Sequence, residues 1–198
     1  GTQMVAKGLD FPNVTLVGVV DGDLSLYADN YRAAERTFSL LTQVVGRAGR
    51  GDKPGRAIIQ TWTPDNDILN LAARQDYDTF YTGEREMRRL LRFPPFLNLF
   101  RITISGPEET QVLRACAVVR RSLDPWIKPR QHGPDGPEVL GPAPAPILKI
   151  NNRYRYRVFL VGKGCPALRR LVAEYLYAFY QHKENRGLDI FADCNAIQ

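Results

Sequence analysis

The stretch VLGPAPAPILKINNRYRYRVFLVG, Val139–Gly162, decides how the second half of this chain folds. Its first twelve residues carry Pro142, Pro144 and Pro146 among apolar neighbours. Proline cannot donate to a β-ladder, so this part predicts an irregular edge strand. The Asn151-Asn152 pair that follows is a hairpin turn signal. The last ten residues, RYRYRVFLVG, predict a second strand. Alternation sends Arg153, Arg155 and Arg157 to one face and Tyr154 and Tyr156 to the other. The tyrosine face runs on through Val158 and Leu160, so it is the expected buried side. The arginines are then expected to project together from the opposite face or edge. Such a compact basic patch suits phosphates or an acidic peptide. The plain alternative is a solvated strand face, which charge runs usually are.

Working outward, NLFRITIS at 98–105 alternates as a strand, and the periodicity over 107–123 predicts a helix burying Val112, Cys116, Val119 and Leu123. Residues 124–138 hold four prolines and predict a loop. A second amphipathic helix is expected over 165–181 and a last strand over 188–192. The order β-α-β-β-α-β is the split-βαβ, ferredoxin-like arrangement.

The first half reads differently. VTLVGVV at 14–20 is continuously apolar, as expected of a buried parallel strand. A helix follows over 31–45 with Ala34, Phe38, Leu41 and Val45 on one face, and then a second buried strand, RAIIQTW. Strand, helix, strand suggests one crossover unit of a parallel sheet. A helical region from Pro64, broken near Gln75-Asp76, ends at FPPF, Phe93–Phe96. The expected fold class is therefore α/β plus α+β. A partial parallel-sheet lobe occupies 1–75, a helical linker 76–96, and a ferredoxin-like domain 97–198.

The whole formal charge of +6 over 198 residues lies in the second half, which favours a polyanionic partner. Cys116, Cys165 and Cys194 are widely spaced with no C-x-x-C, and His132 and His182 stand apart. This predicts neither a disulfide framework nor a zinc site within the chain, and fits a reducing cytoplasm. No apolar run approaches the roughly 20 residues of a membrane span, so no membrane partner is expected. The abrupt opening GTQMVAKG predicts a fragment of something larger.

The stretch LTQVVGRAGRGDKPG, residues 41–55, raises the chemical question. Arg47 and Arg50 stand three apart, flanked by Gly46, Gly49 and Gly51, after a Thr-Gln pair. Glycines let a backbone approach a phosphate closely, and an arginine stabilises charge on a transferring phosphoryl group. A polar helix end followed by a turn is the plainer reading of the same residues.

The stretch upstream tips this balance. GTQMVAKGLDFPNVTLV resembles motif V of superfamily 2 helicases, and QVVGRAGR resembles motif VI, in the right order. Together with YRAAERTFSLLTQVVGRAGR and VLGPAPAPILKINNRYRYRV, these stretches resemble the primosomal protein N' (PriA) helicase family over almost the whole chain. The resemblance implies the later part of a second motor lobe plus the family's C-terminal domain. It implies that Arg47 and Arg50 face a triphosphate, with Arg50 as the arginine finger and Gln43 and Gly46 in the ATP cleft. It places Gly8 and Asp10 near the nucleotide, and Thr2 and Gln3 near the DNA backbone or the lobe interface. Asp10 reads equally as a strand-entry cap.

The chain has no G-x-x-x-x-G-K-[ST] loop and no D-E-x-H-like stretch to hold Mg and orient water. ATP and Mg are thus cofactors expected of a longer protein, as is the family's zinc, whose paired cysteines are not in this chain. This chain alone is expected not to hydrolyse ATP. For the second half the resemblance implies forked and single-stranded DNA as partners. It also implies the acidic tail of the single-stranded DNA-binding protein and other primosome proteins. Arg153, Arg155 and Arg157 are the expected contacts, with Arg153 the expected carboxylate or phosphate ligand. The family often shows Trp where Tyr154 and Tyr156 stand. The function implied is part of an ATP-dependent 3'-to-5' DNA helicase that recognises stalled forks and starts replication restart. The rival is a stand-alone ferredoxin-like nucleic-acid-binding module with no motor role.

Overall fold

The computed structural model describes residues 14–48, 54–127, 136–163 and 166–195. The chain divides into two compact units, Gly1–Met87 and Arg88–Gln198.

In the first unit β1 (Leu16–Val19) pairs in parallel with β2 (Arg56–Ile59), Leu16 opposite Arg56 and Val19 opposite Ile59. Between them runs helix α1 (Ala33–Val45), and after them come α2 (Asp67–Arg74) and α3 (Tyr77–Leu90). Phe38, Leu41, Leu69, Ala72 and Phe80 form the core, with Val19 and Ile59 packed against it. The Phe38 and Phe80 rings stack at 4.1 Å. Asn66 caps α2 by accepting from the Ile68 and Leu69 amides. Gln75 ends it in the left-handed region (φ 59°), and Asp76 restarts the chain by accepting from the Thr79 amide. The expected break at Gln75-Asp76 is thus a C-cap followed by an N-cap.

Two expectations need correction here. Helix α1 begins at Ala33 rather than Tyr31, because the Asn30 side chain accepts from the Arg32 amide and holds a turn ahead of it. The strands are also not buried on both faces. Leu16 is 60% exposed and Ile58 48%, whereas Val17, Val19, Ala57 and Ile59 are half-buried. Residues sharing a register point to the same side, and among the described residues the helices cover the side of Val19 and Ile59.

The second unit is a four-stranded antiparallel sheet in the order β4-β5-β3-β6. Its strands are β3 (Asn98–Gly106), β4 (Glu138–Ile150), β5 (Arg153–Gly162) and β6 (Asp189–Cys194). Helix α4 (Glu109–Ile127) joins β3 to β4, and α5 (Pro166–Phe179) joins β5 to β6. One core unites Phe100, Ile102, Ile104, Val158, Leu160 and Ile190 of the sheet with Val112, Cys116, Val119 and Leu123 of α4 and Leu168, Val172 and Phe179 of α5. Both helices therefore lie on the same sheet face.

The hairpin expected at Asn151-Asn152 is present, with both residues at positive φ (50° and 60°), the requirement of a two-residue turn that matches strand twist. Strand β4 lies at the sheet edge, and its register shifts between Leu140 and Ala143 and again between Pro144 and Lys149. Its prolines interrupt the ladder where a regular strand would pair. The expected loop over 124–138 starts later than its composition suggests, since α4 runs to Ile127 with Pro125 inside it. So near the helix end, proline removes a single ladder bond to the Arg121 carbonyl without forcing earlier turns apart.

Candidate nucleic-acid interface

In the first unit the residues expected at the nucleotide lie at the end of α1. The Gly46 amide donates to the Thr42 carbonyl and the Arg47 amide to the Val44 carbonyl, so a tightened turn closes the helix. Gln43, in the last turn of α1, is exposed, and Arg47, two residues past the helix end, is half-buried. A Cβ on Gly46 would stand 3.3 Å from the Thr42 carbonyl and 3.6 Å from the Gln75 amide nitrogen. Thr2, Gln3, Gly8, Asp10 and Arg50 lie outside the described residues.

A polar cluster that sequence reasoning did not single out joins the ends of the two parallel strands. The Asp23 carboxylate accepts from the Thr61 hydroxyl at 2.8 and 2.9 Å, the Thr63 hydroxyl at 2.6 Å and the Trp62 amide at 2.8 Å. The Thr63 hydroxyl foremost, then the Trp62 amide, hold this carboxyl below the usual carboxylate range; burial opposes them, and the Thr61 hydroxyl reinforces them. Asp21 accepts from the Asp23 and Leu24 amides and shapes the turn that presents it. Trp62 itself stands 89% exposed at the rim. Asp23 follows the apolar run of β1 by only a few residues, but its partners lie 38 to 40 residues away.

In the second unit the alternation read from RYRYR holds. Tyr154 and Tyr156 pack against the core. The Tyr156 hydroxyl donates to Glu109 of α4 at 2.5 Å, and this bond, ahead of burial, raises the phenol's pKa. The arginines take the opposite face, but they do not form the projecting trio expected. Arg153 Nη2 donates to the Asp189 carboxylate at 2.7 Å and to the Gly187 and Ser105 carbonyls at 2.9 and 3.1 Å. Arg157 is only 7% exposed, because it lies between Thr103 of β3 and Ala143 of β4. Arg155, half-buried opposite Ser105, has no hydrogen-bond or ion-pair partner among the described residues. The correction has a plain cause: a side chain on an inner strand has neighbours on both sides, which one strand's own sequence does not display.

The same face carries residues that were not singled out. Arg101 of β3 pairs with Asp193 of β6 at 2.8 Å. Phe159 and Phe191 flank it in the register, Phe159 opposite Arg101 and Phe191 opposite Thr103. Among the described residues no three His, Cys, Asp or Glu side chains gather as a metal site, and no helix is long and apolar enough to cross a membrane.

Comparison with known proteins bears on the whole chain. Residues 89–195 match the family model described as the primosomal protein N C-terminal domain. Replication restart protein PriA of Bacillus subtilis (strain 168) is 42% identical over 195 residues, which is 98% of this chain and 24% of that protein. The protein of the same name from Chlamydia pneumoniae is 46% identical over 161 residues, 81% of this chain and 21% of the relative. That of Synechocystis sp. is 42% identical over 163 residues, 81% of this chain and 18% of the relative. The chain thus spans about a quarter or less of the length of these relatives. With more than half of its residues inside the family model and these identities beside it, the chain belongs to the primosomal protein N (PriA) family.

Proposed function

We propose that this chain serves replication restart as part of an ATP-dependent 3'-to-5' DNA helicase that acts at stalled forks. The 42% identity with a replication restart protein over 98% of the chain carries this reading. In it, the first unit contributes half of an ATP site. Arg47 and Arg50 face the triphosphate, Gln43 and Gly46 line the cleft with Gly8 and Asp10, and Thr2 and Gln3 meet DNA or the other lobe. Gln43 in the last turn of α1 and Arg47 just past its end support that assignment, because a cleft must gather its polar groups close together. ATP and Mg would supply the phosphoryl group and its charge neutralisation. The phosphate-binding loop must come from outside this chain, which has none.

The second unit would bind forked or single-stranded DNA, or the acidic tail of the single-stranded DNA-binding protein, through the Arg153–Arg155–Arg157 face. Its strand order, with both helices on one side, supports a ferredoxin-like reading of the fold.

The test is fluorescence anisotropy of the chain with a labelled fork across a salt series. Steep salt dependence, with a shallower slope in Arg155→Ala, supports phosphate contact through this face. Binding that salt leaves unchanged, or none at all, removes DNA as the partner, and an acidic C-terminal peptide then takes its place in the titration. For the motor role, Arg50→Ala in the longer protein should lower ATP turnover by about 10³-fold or more, as loss of an arginine finger does. Unchanged turnover would return the chain to the rival reading, a nucleic-acid-binding module without motor function.

A further inference from the structure

The outer face of the second unit's sheet is a grid of arginines and phenylalanines. Across it, Phe191, Thr103 and Arg157 lie in one register row, and Asp193, Arg101 and Phe159 in the next. A third row holds Asp189, Ser105 and Arg155. Both helices cover the other face, so this one is not the core side of the sheet. Phe191 is 44% exposed on the edge strand, and Phe159 is half-buried on the inner one. Strand spacing and rise set the two ring positions about 12 Å apart, far enough for each to meet a separate base.

We propose that this face is a stacking platform for unpaired DNA, with Phe191 and Phe159 taking bases and Arg155 with its neighbours tracking the backbone. Arg101, Arg153 and Arg155 stay partly exposed on this face beside two aspartates (Asp189, Asp193), which leaves Arg155 as the charge offered to a phosphate chain. The Arg101–Asp193 and Arg153–Asp189 pairs hold two of the guanidiniums in place at 2.8 and 2.7 Å. Phenyl rings on a four-stranded sheet present flat surfaces to splayed bases, and a planar guanidinium does the same. Stacking tolerates any base, and it demands that the base be unpaired. The platform therefore favours single strands over duplex. This rests on the DNA reading above and deepens it.

The experiment titrates the chain with an oligo-dT strand carrying one 2-aminopurine, and with a blunt duplex, across salt. Phe191→Leu keeps an apolar side chain on an exposed edge and removes the ring, whereas Phe191→Tyr keeps the ring. Phe191→Leu should weaken single-strand binding about 5- to 100-fold, lose the 2-aminopurine signal and leave the salt slope and duplex binding unchanged. Phe191→Tyr should bind as wild type does. If Phe191→Leu binds single strands as wild type while Arg155→Ala loses affinity and slope, the face contacts phosphates only, and the platform is overturned while the DNA reading survives. If the wild-type chain binds neither DNA at low salt, both fall together.

Discussion

Replacing Arg153 with Ala should loosen the sheet before it affects any ligand. The Arg153 guanidinium ties β5 to the Ser105 carbonyl at the end of β3, to the Gly187 carbonyl ahead of β6 and to Asp189 within β6. The ion pair is solvated, its side chains 34% and 65% exposed, so it contributes only about 0.2–1 kcal/mol. Two carbonyl bonds from a charged donor add more, and at half exposure the three together come to about 1–3 kcal/mol. For a domain near this size that corresponds to a fall in melting temperature of about 5–20 °C. Asp189→Asn removes only the ion pair and should cost less than about 1 kcal/mol. Arg155→Ala should stay within about 0.5 kcal/mol of wild type. Far-UV circular dichroism melts measure the global effect. Because two units can unfold separately, hydrogen exchange at the β6 amides reads it locally. If Arg153→Ala melts within about 0.5 kcal/mol of wild type and its β6 amides exchange no faster, the strut argument fails. The side chain would then be held ready for a ligand instead.

Other perturbations follow from the same geometry. Ile104→Ala should cost about 2–5 kcal/mol in urea titrations, since Ile104 is fully buried between Tyr156 and Ile190, while exposed Leu140→Ala should be close to neutral; equal costs would contradict this core. Both Gly141 (φ 97°) and Gly187 (φ 83°) occupy backbone that L-residues avoid. Gly187→Ala, in open space, should cost about 1–2 kcal/mol, and Gly141→Ala more, because its Cβ would meet the Arg157 carbonyl at 2.8 Å. A reversed order in thermal melts would count against the β4–β5 geometry. The depressed Asp23 pKa means its contribution is complete above the ordinary carboxylate value of 3.8 and is lost as pH falls through the lower folded value. Melting temperature should therefore drop more steeply in acid for wild type than for Asp23→Asn, and parallel curves would show that the cluster contributes nothing. Burial pushes the Cys116 thiol up to about 12, so iodoacetamide at pH 8 should label it in urea and spare it in native protein. Rapid native labelling would mean that α4 does not seal against the sheet.

Local chemistry was enough for much of this molecule. The Asn151-Asn152 turn needs only residues that tolerate positive φ, and the proline run of β4 forbids regular pairing wherever it sits. The apolar period of α4 at Val112, Cys116, Val119 and Leu123 names its buried face without reference to what covers it. Each of these is settled within a few residues of chain. Packing across long separations settled the rest. Arg153 meets partners 34 to 48 residues away, and Asp23 meets partners 38 to 40 residues away, so neither bond is written in its own neighbourhood. Arg155 and Arg157 look alike in RYRYR, yet one lacks a partner among the described residues and the other is buried. Their difference arises on the other side of β5, where β4 sets Ala143 beside Arg157 but shifts its register past Arg155. A strand's alternation tells which residues share a face. What stands beside each of them across the sheet, and hence its burial and its charge environment, exists only once the strands have paired.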